Sequence, residues 1–307
     1  MKDIKEIKGV IPAMFTVFDE NENIDEKATK DYVEYLISKK IDGLYLTGST
    51  GEGFLMDVDE RKRYVEVVVD AVSKRIPIIV HVGAIGTKIS IELAEHAAKV
   101  GADAVSSVPP FYWSFGKENI IKYYRDIASA TNLPMIVYNV PLAGIMSMDL
   151  VKDLIKLPNV KGIKYTATTH HEMAMIKDFA PENFMVYSGC DEMALSGLMH
   201  NADGIIGSTY NLMPELFVKI NALYQKGLLD EANKYQHQAF RIINELLNYE
   251  LLPMMKEANR WKGVNAGYCR RPFGKINPET ANKAKATFKR IKEELEIKDV
   301  EFINALN

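Results

Sequence analysis

Eight short apolar segments recur along the first two thirds of the chain, and their number and spacing constrain the fold more than any other feature. They lie, in order, at residues 10–15, 43–47, 77–82, 104–108, 134–139, 160–166, 184–188 and 204–208. Their nearly continuous apolar character is typical of parallel strands that are covered on both faces. The stretches between them have the periodicity of amphipathic helices. The pattern therefore predicts parallel strands that are joined by helices.

The predicted helices begin and end at recognisable residues. Asp57 with Glu60 has the spacing of a capping box, and Ser147 precedes another apolar stripe. A helix that begins near Thr87 is predicted to stop at Gly101. An aspartate followed by a small residue also precedes three of the apolar segments, at Asp42, Asp103 and Asp203. This repeated pattern indicates repeated strand–helix units.

Eight strand–helix units in roughly 220 residues predict a closed (β/α)8 barrel, because right-handed crossovers then cover a sheet that has no free edge. The rival is an open doubly wound sheet, which typically carries a Gly-x-Gly-x-x-Gly turn after its first strand. Here the first segment leads instead into Thr16 and an acidic turn. We therefore predict an α/β protein with the topology of a TIM barrel.

From about Pro214 onward the strand pattern stops and helical periodicity continues alone. Predicted helices lie at residues 215–225, 230–248 and 252–262. A last helix is predicted with Asn277 as its N-cap and Pro278 at its first position. We therefore divide the chain into a barrel that holds the active site, residues 1–222, and a C-terminal helical extension, residues 223–307.

The charge balance and the composition exclude several classes of protein. Lys and Arg number 38 against 41 Asp and Glu, a formal net charge of −3, so there is no basic field to hold nucleic acid or an anionic membrane. No segment approaches the ~18 consecutive apolar residues of a membrane span, and the first residues do not resemble a signal peptide. Two cysteines, Cys190 and Cys269, cannot form a disulfide framework, which favours a reducing compartment. We expect a cytoplasmic protein.

In such a barrel, functional residues follow the carboxyl ends of the strands. Lys164 lies late in the sixth segment, and period-two alternation places it opposite Ile163 and Tyr165, pointing into the barrel. One interpretation is a lysine that extends its ammonium to water at a strand end. The other is a buried amine that is free to form a Schiff base with a carbonyl substrate. Gly162 would then leave room for that substrate.

Tyr138 shares the inward face of the fifth segment with Ile136, and strands five and six are neighbours in a barrel. A phenol and the Lys164 amine at the same end of adjacent strands would reach one substrate. A buried tyrosine usually does no more than satisfy its hydroxyl. Beside an imine-forming lysine, it is also the natural proton shuttle.

Two loops offer groups that suit a small polar substrate. The 48–53 loop is either a tight turn or, through its N–H groups and the hydroxyls of Ser49 and Thr50, a carboxylate site. Asp191 and Glu192 are either a solvated pair or ligands of sugar hydroxyls. The six histidines have no metal-ligand spacing, so we predict no metal site.

Several motifs then occur in a fixed order along the chain. They are Gly-Ser-Thr-Gly-Glu at 48–52, Tyr-Asn-Val-Pro at 138–141, Lys164, Gly-Ser-Thr-Tyr-Asn at 207–211 and the 269–274 loop. Together they resemble the dihydrodipicolinate synthase and N-acetylneuraminate lyase superfamily over essentially the whole chain. The resemblance implies a class I, pyruvate-dependent aldolase that is a homotetramer. It also implies that no metal or organic cofactor is needed, since Lys164 itself would form the Schiff base.

Within that superfamily the loops are similar to the sialic acid lyase branch. The synthase branch typically has Thr where this chain has Ser49, and an arginine where this chain continues from Leu142 to Ile145. The lyase branch implies reversible cleavage of N-acetylneuraminate to pyruvate and N-acetyl-D-mannosamine, an acyl amino sugar. By the resemblance, the catalytic residues would be Lys164, Tyr138, Ser49 and Tyr112. The substrate-binding residues would be Ser49, Thr50, Thr166, Gly189, Asp191, Glu192, Gly207 and Ser208.

Three other hypotheses stay open on the sequence. The chain could be a dihydrodipicolinate synthase or could act on another 2-keto-3-deoxy acid. A glycoside hydrolase needs two carboxylates across the scissile bond, and only the 191–192 pair supplies acids at a strand end. A barrel that binds a keto acid only as a sensor is disfavoured by the presence of Lys164 and Tyr138.

Overall fold

The computed structural model describes residues 3–306, and its centre is a barrel of eight parallel strands. The strands are β1 (Gly9–Pro12), β2 (Leu44–Leu46), β3 (Ile78–His81), β4 (Ala104–Ser107), β5 (Met135–Asn139), β6 (Val160–Tyr165), β7 (Met185–Ser188) and β8 (Gly204–Gly207). β1 pairs with β8, and each of the others pairs with its neighbour in the chain. A parallel bridge between Ala13 and Tyr45 joins β1 to β2 and closes the ring. The predicted (β/α)8 barrel is confirmed, with one strand in each predicted segment.

The helices surround this barrel and continue beyond it. Within residues 3–306 they are α1 (Glu26–Ser38), α2 (Val58–Val72), α3 (Thr87–Val100), α4 (Lys117–Ser129), α5 (Met148–Ile155), α6 (His171–Phe179), α7 (Ala194–Met199), α8 (Pro214–Gln225), α9 (Leu229–Leu246), α10 (Leu251–Trp261), α11 (Pro278–Glu294) and α12 (Glu301–Asn304). One helix follows each strand, and α9 to α12 form the helical extension that the sequence predicts. The division after residue 222 stays a prediction, and it falls inside α8.

The residues that predicted helix ends have the expected contacts. The Asp57 carboxylate accepts the Glu60 N–H at 2.8 Å, and the Glu60 carboxylate accepts the Asp57 N–H at 2.9 Å, which completes a capping box. Ser147 caps α5 through the Leu150 N–H. α3 ends at Gly101, whose φ of +96° lies in the left-handed region that favours glycine.

The repeated aspartates have a common structural role at the amino ends of the strands. Each carboxylate accepts a backbone N–H from the preceding strand, at 2.7 to 3.0 Å. These bonds join Asp42 to Val10, Asp103 to Ile78 and Asp203 to Val186. They join neighbouring strands at the amino-terminal end of the barrel. Active sites of such barrels lie at the opposite end, so we assign these three aspartates a role in stability.

The barrel interior is filled with apolar side chains from the strands and from the N-terminal segment. Ile4 and Ile7 belong to the same buried cluster as Ile11, Ile136 and Ile206. The Tyr187 hydroxyl donates to the Ile7 carbonyl at 2.8 Å and fixes that segment. The packed interior leaves the carboxyl ends of the strands as the place for polar side chains. No helix in residues 3–306 is long and apolar enough to cross a membrane.

Candidate active site

Lys164 and Tyr138 lie side by side on neighbouring strands. The β5–β6 register pairs the two residues directly. The Lys164 Nζ is 4.2 Å from the centroid of the Tyr138 ring, and the two residues are 4% and 5% exposed. This position fits the interpretation of Lys164 as a buried amine and not that of an ammonium extended into water. The predicted convergence of amine and phenol is present.

A second ring, from Tyr45, also lies beside the amine. The Lys164 Nζ is 4.7 Å from its centroid, and the Tyr45 hydroxyl donates to the Ser106 hydroxyl at 3.1 Å. The rings of Tyr45 and Tyr138 meet edge to face with centroids 6.0 Å apart. Our sequence analysis missed Tyr45. Period-two alternation along β2 was the available signal, because it points the middle residue of that short strand inward.

His81 packs against the rings of Tyr45 and Tyr138. Its ring meets the Tyr138 ring edge to face, with centroids 6.1 Å apart. Its Nε2 accepts the Val108 N–H at 3.2 Å, so the ring proton is on Nδ1, which is 3.2 Å from the Thr47 carbonyl. Burial, helped by the nearby Arg61 guanidinium, holds the pKa of His81 well below its usual value. His81 is therefore a neutral link between the ends of β2, β3 and β4.

Thr166 and Gly189 shape the space beside the amine. The Thr166 Oγ1 is buried without a hydrogen-bond partner among the described residues, so it is available to a polar ligand. A Cβ on Gly189 would lie 1.9 Å from that oxygen and 3.1 Å from the Lys164 Cε. Gly189 thus makes room for both side chains. The expectation for Gly162 was wrong, because a Cβ there would lie 2.9 Å from the Met185 carbonyl oxygen, inside the packed barrel.

Asp191 is held in one orientation by the loop after β8. Its Oδ2 accepts the Thr209 N–H at 2.8 Å and the Thr209 hydroxyl at 2.7 Å. A Cβ on Gly207 would lie 2.1 Å from the Asp191 Oδ1, so only glycine fits there. Burial raises the pKa of Asp191 to about 6, although the Thr209 hydrogen bonds oppose that rise. The adjacent Glu192 is exposed.

The 48–53 loop, which follows β2, contacts the loop after β8. The hydroxyl oxygens of Thr50 and Ser208 are 2.8 Å apart. Ser49 is half-buried and lines a cavity of about 320 Å³ whose other walls are mainly apolar, among them Val108 and Val140. The structure therefore groups two sets of predicted site residues, Lys164 with Tyr138, Thr166 and Gly189, and Thr50 with Ser208.

Tyr112 lies apart from these groups. Its side chain is 82% exposed, and its ring packs edge to face on Trp113 with centroids 4.8 Å apart. Leu142, on the next loop of the barrel mouth, is 81% exposed as well. Tyr112 therefore belongs to an exposed apolar rim in the single chain.

The described residues offer no alternative centre for metal chemistry. Within residues 3–306, no group of three or more His, Cys, Asp or Glu side chains could hold a metal ion. Cys190, beside Asp191, donates weakly to the Ala167 carbonyl at 3.5 Å, and burial raises the pKa of its thiol to about 12. A thiol in this environment stays protonated and is a poor nucleophile.

Comparison with known families decides where the chain belongs. The model of the dihydrodipicolinate synthetase family matches residues 6–291. The chain belongs to this family. An N-acetylneuraminate lyase from Rhizobium meliloti (strain 1021) is 38% identical to this chain over 272 residues. These residues span 88% of this chain and 90% of that protein.

Solved structures agree with this family assignment. The protein CdNal from Clostridium difficile, determined in complex with mannosamine, superposes with a TM-score of 0.88 at 34% identity, over 94% of this chain and 99% of its own. A Ruminococcus gnavus sialic acid aldolase with a mutated catalytic lysine superposes with a TM-score of 0.89 at 30% identity, over 96% of this chain and 100% of its own. The resemblance drawn from the sequence motifs is thereby confirmed.

Proposed function

We propose that this member of the dihydrodipicolinate synthetase family is a class I aldolase that reversibly cleaves N-acetylneuraminate to pyruvate and N-acetyl-D-mannosamine. One observation carries the proposal: a buried lysine amine, Lys164, lies 4.2 Å from the ring of Tyr138 at the carboxyl ends of β5 and β6. The lyase and aldolase relatives support the choice of substrate.

Lys164 supplies the covalent chemistry in this proposal. Its amine attacks the keto carbon of the open-chain sugar acid, and loss of water leaves a protonated imine. The bond that breaks next joins the carbon adjacent to the imine carbon to the hydroxyl-bearing carbon that follows it. Its electron pair moves toward the imine and forms an enamine. Protonation of the enamine and hydrolysis of the resulting imine release pyruvate and restore the free lysine. No metal or organic cofactor enters this sequence.

Tyr138 moves the proton that this bond cleavage requires. The substrate hydroxyl must lose its proton as the sugar aldehyde forms, and the Tyr138 phenol is the proton-transfer group beside the amine. Tyr138 would carry that proton toward the substrate carboxylate, with the Ser49 hydroxyl orienting it. The neutral imidazole of His81 and the Tyr45 ring keep the Tyr138 ring in place.

The two loop groups bind opposite ends of the substrate. N–H groups of the 48–53 loop, with the hydroxyls of Ser49 and Thr50, would hold the carboxylate. The sugar hydroxyls would meet the unpartnered Thr166 Oγ1, the Asp191 carboxylate and their neighbours. The residues that we propose to bind the sugar also include Gly189, Glu192, Gly207 and Ser208. These two kinds of polar group at one barrel mouth match a substrate with a keto acid at one end and a polyol at the other.

The proposal extends to a cytoplasmic homotetramer. The two free cysteines suit a reducing compartment. The exposed apolar rim that includes Tyr112, Trp113 and Leu142 suits burial against another subunit. Tyr112 would then take part in the hydroxyl relay from a subunit contact rather than beside the Lys164 of an isolated chain. Sedimentation or light scattering of the purified protein tests the assembly directly.

A substrate panel tests the proposed activity. Purified protein is incubated with N-acetylneuraminate and assayed for pyruvate, and in the reverse direction pyruvate is offered with N-acetylmannosamine and with other aldehydes. We expect pyruvate release from N-acetylneuraminate and condensation with N-acetylmannosamine. Condensation only with a carboxylated aldehyde would instead favour a dihydrodipicolinate synthase. The absence of an arginine between Leu142 and Ile145 argues against that outcome.

A further inference from the structure

Lys256, on helix α10 of the C-terminal extension, makes a buried ion pair with Glu52 of the 48–53 loop. Its Nζ donates to the Glu52 Oε1 at 2.7 Å and to the carbonyls of Thr16 and Tyr268 at 2.8 and 2.7 Å. The Glu52 side chain is fully buried and its Oε2 accepts the Arg270 N–H at 2.7 Å. Every donor of the ammonium and both oxygens of the carboxylate therefore have partners.

Glu52 also stands at the end of the loop that the proposed function assigns to the substrate carboxylate. Its φ of +55° lies in the left-handed region that non-glycine residues rarely adopt, and Thr47 at the start of the loop has a φ of +54°. Such a backbone persists only where surrounding contacts hold it. The Glu52 carboxylate is held by the Lys256 ammonium and by the backbone N–H of Arg270, both in the extension, so the extension helps to fix the conformation that presents Ser49 and Thr50.

Gln236, on helix α9 of the same extension, holds the second loop of the site. Its Nε2 donates to the carbonyls of Asp191 and Glu192, at 3.2 and 3.0 Å. Its Oε1 accepts the Leu195 N–H at 2.8 Å. One buried amide thus binds three backbone groups of the segment that carries the acidic pair. Gln236 thus holds the backbone of that pair, while Thr209 holds the Asp191 carboxylate.

We propose that Lys256 and Gln236 are positioning residues, Lys256 for the part of the site that binds the keto acid and Gln236 for the part that binds the sugar. This inference rests on the proposed function. Neither residue belongs to the proposed set of substrate contacts, so each acts through the loop that it holds. The helical extension is thereby part of the active-site architecture. Small displacements of binding groups lower catalysis strongly. Loss of Lys256 is therefore expected to alter the kinetics with pyruvate, and loss of Gln236 the kinetics with the sugar.

Gln236 is tested against a matched neighbour. Gln238 lies on the same helix, is buried to a similar extent and donates to the Leu295 carbonyl at 3.3 Å within the extension, away from the barrel loops. Gln236→Leu is expected to raise the KM for N-acetylmannosamine by about tenfold or more while the KM for pyruvate stays unchanged. Gln238→Leu is expected to change neither KM. Equal effects of the two substitutions would overturn the inference.

Lys256 needs a different design, because Lys256→Met alone leaves the Glu52 charge buried without a partner and threatens the fold. The double variant Glu52→Gln/Lys256→Met removes both charges, and the new amide still accepts the Arg270 N–H. We expect it to fold and to raise the KM for pyruvate by about tenfold, with the KM for N-acetylmannosamine unchanged. A normal pyruvate KM in the folded double variant, or an equal rise for both substrates, would overturn the assignment of Lys256.

A direct binding measurement separates this inference from the proposed function. The pyruvate concentration that gives half-maximal borohydride trapping on Lys164 is measured for each variant, without any sugar. It is expected to rise in Glu52→Gln/Lys256→Met and to stay unchanged in Gln236→Leu. If the wild-type protein traps pyruvate but does not cleave N-acetylneuraminate, the substrate in the proposed function is wrong. The role of Lys256 is still decided in that case by the trapping curve.

Discussion

The amine of Lys164 lies against the face of the Tyr138 ring, 4.2 Å from its centroid, because the β5–β6 register places the two residues at the same height in the barrel. Backbone hydrogen bonds of the sheet fix the relative height of the two residues, so the two side chains start from neighbouring positions. A rigid pair of nucleophile and proton carrier is what imine-forming catalysis requires. The pair accordingly leads to the first two predictions.

Replacement of Lys164 by alanine should abolish turnover, because no other described group at this position can form the imine. Lys164→Arg is the informative companion, since it keeps a positive charge that cannot add to a carbonyl under these conditions. Both variants should be inactive in a pyruvate-release assay while their thermal unfolding stays cooperative. Near-normal turnover in either one contradicts the covalent mechanism.

Replacement of Tyr138 by phenylalanine should keep the ring packing and remove the proton carrier. We expect kcat to fall by roughly 100- to 10,000-fold, the usual contribution of general acid–base catalysis. Tyr45→Phe is the matched control, because the Tyr45 hydroxyl bonds to Ser106 at 3.1 Å and Tyr45 is not a predicted substrate contact. If both substitutions slow the reaction equally, the aromatic surroundings of Lys164 matter and the Tyr138 hydroxyl does not.

We expect the affinity for the sugar to depend on pH through Asp191. Burial raises the pKa of Asp191 to about 6, and the nearby Glu192 adds to that rise while the hydrogen bonds from Thr209 and the Lys164 charge oppose it. Below this pKa the carboxyl is protonated and loses acceptor capacity, so the KM for N-acetylneuraminate should rise as the pH falls through about 6. Asp191→Asn should raise KM at neutral pH and flatten the profile. An unchanged pH profile in that variant contradicts the role of Asp191.

The same carboxyl has a predictable effect on folding. Because its pKa is higher in the folded protein than the ordinary 3.8, ionised Asp191 lowers the free energy of unfolding. This cost is absent below about pH 4, grows as the pH rises to about 6 and then stays constant, at about 3 kcal/mol. The free energy of unfolding of Asp191→Asn minus that of the wild type should therefore be larger above pH 6 than at pH 4. Chemical denaturation at the two pH values measures the difference.

Gly189 should tolerate no side chain. A Cβ there would lie 1.9 Å from the Thr166 Oγ1 and 3.1 Å from the Lys164 Cε, so Gly189→Ala must displace the catalytic side chain or its neighbour. We expect a large loss of kcat/KM. Gly86→Ala is the control, since Gly86 has an ordinary φ of −92° and no atom within 4 Å of an added Cβ. Equal activity of the two variants would show that the space beside Lys164 is not critical.

Much of the fold follows from local sequence patterns. Seven strands lie within their predicted apolar segments, and β1 begins one residue before its segment and ends three residues before the segment does. The Asp57 capping box and the Asn277 cap are where the sequence places them. Such features depend on residues close together in the chain, and a parallel barrel restricts how they can be assembled. The short helix α12 was not predicted, because four residues carry too little periodicity to detect.

The candidate site was predictable only in part, for a physical reason. Lys164 and Tyr138 could be paired because strand alternation and barrel neighbours are regular. The contacts of Lys256 with Glu52 and of Gln236 with Asp191 join residues far apart in the chain, through helices whose docking no local pattern describes. His81 was overlooked for the same reason, since its role depends on loops after three different strands.

The most direct test of this account is peptide-mapped mass spectrometry after borohydride reduction, with pyruvate in one sample and N-acetylneuraminate in the other as the only carbonyl source. We expect a reduced pyruvyl adduct on Lys164 in both samples, because the protein would itself release pyruvate from the sugar acid. An adduct on a different lysine, or none on Lys164 with pyruvate, would contradict the central claim that this buried amine is the nucleophile.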